Sequence, residues 1–291
     1  MFDTSHLEPN NLAAEVSPME ETMPDTHLVH PQQAADLRLK KLTPRGREFH
    51  DNRKEAEAEF RELRREFITW QERLYAEDKQ SLLVVFQAID AGGKDGSIRN
   101  MLQGVNPQGV RVESFKVPTK HELARDFLWR IHKTTPARGM ITVFNRSHYE
   151  DVLVVRVHDL VPESVWRPRY EHINNFERLL NDNGTRILKF FLHISHAQQR
   201  KRFQSRLDDP SKNWKFDVGD LDKRKEWDDY MVAFEEMLQR TSTDIAPWYV
   251  IPGNQKWYRN LAIMRVIVDT LREMDPQYPP VTDDLSKITI T

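Results

Sequence analysis

Residues 82–98, LLVVFQAIDAGGKDGSI, constrain the chain more than any other stretch. An apolar run from Leu82 to Phe86 breaks into glycines and a lysine, then into helix-forming residues. That order reads as strand, loop, helix. Gly92, Gly93 and Gly96 leave a loop almost without side-chain bulk, so successive backbone N–H groups can turn toward one anion at the positive end of the following helix. Phosphate suits such a loop. Lys94 stands where a phosphate-loop lysine bridges the outer phosphates, and Asp90 is a hard oxygen ligand suited to Mg²⁺. Ala91, Asp95, Ser97 and Arg99 complete the predicted phosphate- and nucleotide-binding set. The match to G-x-x-x-x-G-K-[ST] is incomplete: Ala88 occupies the first glycine position and Asp95 the metal-binding Ser/Thr position, so the metal must be held differently. A glycine-rich turn that merely packs a helix on a sheet is the structural alternative.

Strands expected at 110–117, 140–144, 187–194 and 248–251 alternate with helices. The helices are expected over 44–78, from Thr119 (with a Thr119–Glu122 capping box and the stripe Leu123, Phe127, Leu128, Ile131), up to Val157, and over 171–180, 197–207, 222–238 and 255–274. This rhythm predicts an α/β fold, a three-layer αβα sandwich around a parallel sheet. One domain over 42–291 is expected, with an N-terminal helical extension at 42–79 and a helical lid at 196–225. The acidic segment 1–41 reads as a disordered or extended leader.

A net charge of −2 argues against general affinity for nucleic acid or membranes, so binding of a polyanion must come from a local patch. The absence of cysteine excludes disulfides, thiolate metal sites and cysteine nucleophiles, and is compatible with a reducing cytosol. No apolar run approaches the ~20 residues that a membrane helix needs. The N-terminus lacks the basic start and apolar middle of a secretory signal, and a cytoplasmic location is the expectation.

In an open parallel sheet, ligands bind beyond the carboxyl ends of the strands. Asn145, Arg146 and Glu150 follow the third strand in the polar run NRSHYED, beside the phosphate loop. Asp90 and Asn145 are the expected Mg²⁺ ligands, with Glu150 or Asp151 in support. Alternatively, Asn145 caps a helix and Glu150 and Asp151 complement its dipole. Arg146 suits bidentate phosphate capture, or an ion pair with Asp90 in the empty enzyme. Between Arg200 and Lys215, six basic residues (Arg200, Lys201, Arg202, Arg206, Lys212, Lys215) face only Asp208 and Asp209, as expected of a cationic lid over anions or of a solvated face. The histidines show no paired metal spacing. Trp214, inside this run, is kept open as a stacking residue.

DAGGKDG, FNRSHYEDV and the basic lid together resemble the polyphosphate kinase 2 family over about residues 42–274, and its class III subgroup in Asn145 and Glu150. The resemblance implies a P-loop kinase-like fold and Mg²⁺-dependent transfer (Mn²⁺ substituting) between inorganic polyphosphate and adenine nucleotides, AMP to ADP and ADP to ATP. It also implies a homo-oligomer, dimer or tetramer. By residue it implies that Asp90, Lys94, Arg146 and Glu150 are catalytic, and that Arg146, Arg156, Arg202, Arg206, Lys212 and Lys215 bind polyphosphate. An ATP-dependent nucleotide kinase of the thymidylate or adenylate type and a nucleotide-binding switch without turnover are the competing functions.

Overall fold

The computed structural model describes residues 27–282 together with 285, 288 and 290. Among the described residues, six strands form one sheet: β1 (Leu28–Val29), β2 (Ser81–Gln87), β3 (Val110–Ser114), β4 (Ile141–Asn145), β5 (Thr185–His193) and β6 (Trp248–Pro252). Their order is β1-β6-β5-β2-β4-β3. Every pairing is parallel except β1 with β6. The parallel sheet is as expected, but the β1 edge lies in the stretch read as a leader. Residues 27–41 are built into strand and 3₁₀ turns, and the rest of that leader lies outside the described residues.

The helices are α1 (Arg53–Glu77), α2 (Lys94–Met101), α3 (Lys120–Leu123), α4 (Trp129–His132), α5 (Glu150–Val157), α6 (Glu163–Trp166), α7 (Arg169–Asp182), α8 (His196–Leu207), α9 (Gly219–Lys225), α10 (Trp227–Thr241) and α11 (Lys256–Met274). The pleat of β2 sends Leu82, Val84 and Phe86 into one core with α1, α2 and α11, and Leu83 and Val85 into another with α5, α7 and α10. The result is the expected three-layer sandwich. The strand is buried on both faces because helices cover both.

The helix expected over 222–238 is divided at Glu226 between α9 and α10, and three other boundaries also differ from expectation. The first long helix starts at Arg53 rather than near Pro44, because the Asn52 side chain accepts from the N–H groups of Lys54 and Glu55 and caps it there. The predicted Thr119 helix keeps its capping box but ends after Leu123, which is exposed. The Asp126 side chain takes the Leu128 N–H and turns the chain, splitting the stripe between α3 and α4. β3 stops at Ser114, leaving Val117 exposed.

Candidate active site

Register places the site. Phe86 on β2 lies opposite Asn145 on β4 and Phe190 on β5, so the carboxyl ends of the central strands finish together. The glycine loop emerges there. Ala91 (φ 60°) and Gly93 (φ 107°) take left-handed backbone. A Cβ on Gly93 would sit 2.1 Å from Arg259 Nη1, so glycine both permits the turn and makes room for a cation. α2 opens with no side-chain cap. Its first-turn N–H groups are therefore left for an anion.

Lys94 is buried, and its Nζ donates to Ala88 O at 2.7 Å. Burial lowers its pKa, as does the nearby Arg146 charge, while Asp90, Glu150 and Asp95 oppose the shift. Arg146 has φ 64°. Its Nη2 donates to Asp90 Oδ1 at 2.8 Å, and its Nη1 lies 3.9 Å from Glu150 Oε2. This is the ion pair that the sequence allowed in the empty enzyme. Burial works against the Arg146 charge, but Glu150 and Asp90 hold its pKa above the usual value. Asn145 Nδ2 donates to Asp95 Oδ1 at 2.6 Å, bringing the end of β4 to the start of α2.

The opposite wall is cationic. Arg202 Nη1 donates to Ala91 O and Gly92 O, each at 2.8 Å, and Nη2 to Gly253 O. Gln199 Nε2 reaches Asp90 O at 3.0 Å. α8 thus holds the phosphate loop by its carbonyls and leaves the N–H side clear. Arg259 is buried, and its bonds go to the Asn260 side chain. Burial first, then Arg202, pushes Arg259 down to about 9; burial, then Arg206, pushes Arg202 down to about 10. Among the described residues neither arginine has a carboxylate partner. Burying unneutralised guanidinium groups is costly, and an anionic ligand would remove that cost.

These walls enclose an open cleft of about 1590 Å³ in which basic lining residues outnumber acidic ones thirteen to four, in a chain of net charge −2. The guest is accordingly a polyanion larger than one phosphate. Asp90, Ala91, Gly92, Gly93, Lys94, Asp95, Gly96, Arg99, Asn145, Arg146, Arg202, Arg206, Lys212 and Lys215 all line it. Glu150 borders it through Arg146. Two predicted residues stand apart. Ser97 is buried outside the lining, its hydroxyl without a partner among the described residues. Arg156 pairs with Glu236 at 2.5 Å and packs over Trp166, because six residues along α5 from Glu150 carry it to the α10 side. Sequence reasoning missed Lys256 and Arg259 of α11, Lys116 after β3, and Arg53 and Arg61 of α1.

A nucleotide-scale cationic cleft over a glycine loop, at the carboxyl ends of a parallel sheet, defines a phosphotransferase of P-loop-like fold. The model of polyphosphate kinase 2 (PPK2) matches residues 50–279. The chain is 57% identical over 228 residues (78% of this chain, 85% of the relative) to the AMP/ADP-polyphosphate phosphotransferase of Meiothermus ruber. It is 49% identical over 224 residues (73% and 78%) to the ADP-polyphosphate phosphotransferase of Rhodopseudomonas palustris. The crystal structure of Polyphosphate Kinase 2 from Arthrobacter aurescens TC1 superposes with a TM-score of 0.84 at 39% identity, covering 88% of this chain and 94% of that one. This chain belongs to the polyphosphate kinase 2 family.

Proposed function

We propose that the protein transfers phosphate between inorganic polyphosphate and adenine nucleotides, with both AMP and ADP as acceptors. The observation that carries this is the wall of desolvated arginines without carboxylate partners facing the phosphate loop. A bare polyanion as donor supplies the missing negative charge along its whole length. Phosphoryl transfer asks for in-line positioning and charge neutralisation more than covalent chemistry, which is what this cleft provides. Lys94 stabilises the phosphoryl group in transit. Arg146, released from Asp90, clamps phosphate oxygens bidentately, with Glu150 orienting it. Arg202 fixes the loop, and Arg206, Lys212 and Lys215 hold the donor chain.

Asp90, Asp95 and Asn145 offer oxygen donors to the same cleft. No trio of carboxylate and imidazole groups among the described residues converges enough to hold a metal alone. Mg²⁺ is commonly taken up with its phosphates on one or two carboxylates rather than in an all-protein cage. Asp90 and Asn145 are the proposed ligands, and the ion would neutralise phosphate charge there. No helix among the described residues is long and apolar enough to cross a membrane. A cytoplasmic location and a homo-oligomeric state belong to the same proposal. The test is purified protein with AMP or ADP plus polyphosphate, against AMP plus ATP. Product from polyphosphate is expected; ADP formed only from the ATP mixture would overturn the donor assignment.

A further inference from the structure

α8 presents three faces. Gln199 and Phe203 are buried inward. Gln198, Arg202, Ser205 and Arg206 line the main cleft. The third face, with Ala197, Arg200 and Gln204, borders a second cleft of about 530 Å³ that is closed on its far side by Arg224 of α9. Lys201 lines both clefts. Arg224 is anchored across this second opening: its Nη1 donates to His196 O at 2.9 Å and to Gln199 Oε1 at 2.8 Å. Among the described residues no carboxylate pairs with Arg200, Lys201 or Arg224. The carboxylate acting on this rim is Asp228, through His196. Burial, then the Arg200 charge, lowers the Arg224 pKa, so these two cations act on each other across the cleft.

An arginine fixed by backbone and amide contacts, two further cations, and a cleft that shares Lys201 with the donor site make a place for an anion. The phosphate loop and the proposed metal ligands line the main cleft and not this one, which Arg224 joins to them only through Gln199. We propose that the second cleft is a distal subsite for polyphosphate: a chain whose reacting end lies in the main cleft passes over Lys201 and rests later phosphates against Arg200 and Arg224. The subsite rests on the function proposed above. It joins α8 to α9, so occupancy would also fasten the two lid helices together. Short donors, which end inside the main cleft, would not reach it.

The experiment compares wild type with Arg200→Gln/Arg224→Gln, and with Arg200→Glu alone, which leaves the Arg224 contacts in place should the double change disturb the lid. Direct calorimetric binding of tripolyphosphate and of long-chain polyphosphate is measured beside steady-state transfer. Expected for the double variant is a long-chain Kd and KM raised roughly 5- to 10-fold, tripolyphosphate values within about 2-fold of wild type, and a salt dependence of long-chain binding shallower by about one unit of log K per log salt or more. Arg200→Glu should move the same way. Unchanged long-chain binding, or an equal loss for both donors, overturns the subsite. Binding is read without turnover: a wild type that binds both polymers but transfers from neither refutes the function, and the long-to-short binding ratio still decides the subsite.

Discussion

Two sets of buried cations divide this molecule. Lys189, fully buried in β5, donates to Glu177 Oε2 at 2.6 Å, Tyr149 OH at 2.9 Å and Thr241 O at 2.6 Å. The second Glu177 oxygen accepts from Tyr149 OH at 2.7 Å, with His148 Nε2 3.3 Å away. There each charge is answered within the protein. Arg259 is buried nearly as deeply and Arg202 is half-buried, yet carbonyl and amide oxygens alone answer them. Burial by itself therefore marks nothing; the unanswered sign of charge separates a structural ion pair from a site prepared for ligand.

That contrast can be broken at either end. The largest effect should follow from Lys189→Met, which strands a buried carboxylate and should cost roughly 3–5 kcal/mol in urea unfolding. Lys189→Met/Glu177→Leu should recover most of that loss. A single variant as stable as wild type would place Lys189 in the same class as the cleft arginines. Next, Lys94→Ala should lower turnover by about two orders of magnitude, while its thermal midpoint stays near that of wild type, because the cost of burying the ammonium is removed together with the attraction of Asp90, Glu150 and Asp95. Retained turnover would take Lys94 out of the mechanism.

Asp151 sharpens the contrast as an intermediate case. It sits 3.0 Å from Arg169, yet burial, opposed by Arg169 and Arg130, raises it from 3.8 to about 6. The fold then favours the protonated form. Its contribution is fully present below about pH 4 and is lost as pH rises through about 6. Compared with Asp151→Asn across this window, wild type should lose about 3 kcal/mol of relative stability, with no further change above it. A stability difference independent of pH would mean that Arg169 compensates for burial. Smallest, Arg206→Ala should raise the KM for polyphosphate roughly 3- to 5-fold with kcat nearly unchanged. An unaltered KM would make that end of α8 a solvated face.

Much of the site was legible because its signals are local. Glycines, lysine and flanking apolar run occur within one strand-loop-helix, and Arg146 follows β4 directly. The cations of α11 were not, because 165 residues separate Lys94 from Arg259 and only the β6 crossover joins them. A faint signal exists. Lys256 and Arg259 lie in the first turn of a helix, where the macrodipole disfavours positive charge, and that misplacement points to an external anion. Arg156 misled for the converse reason: a resemblance along the chain says nothing about which face of α5 carries the arginine, and Glu236 on α10 claims it. β1 was hidden because two residues, Leu28 and Val29, are too few to show a period, and only pairing with β6 makes them a strand.

The most direct measurement is calorimetric titration of polyphosphate into wild type and an Arg202→Gln/Arg259→Gln variant over a series of salt concentrations. Unanswered cleft cations predict wild-type binding whose log K falls steeply and linearly with log salt, and a variant that binds more weakly with a shallower slope. Binding indifferent to salt, or the same in both proteins, would contradict the account.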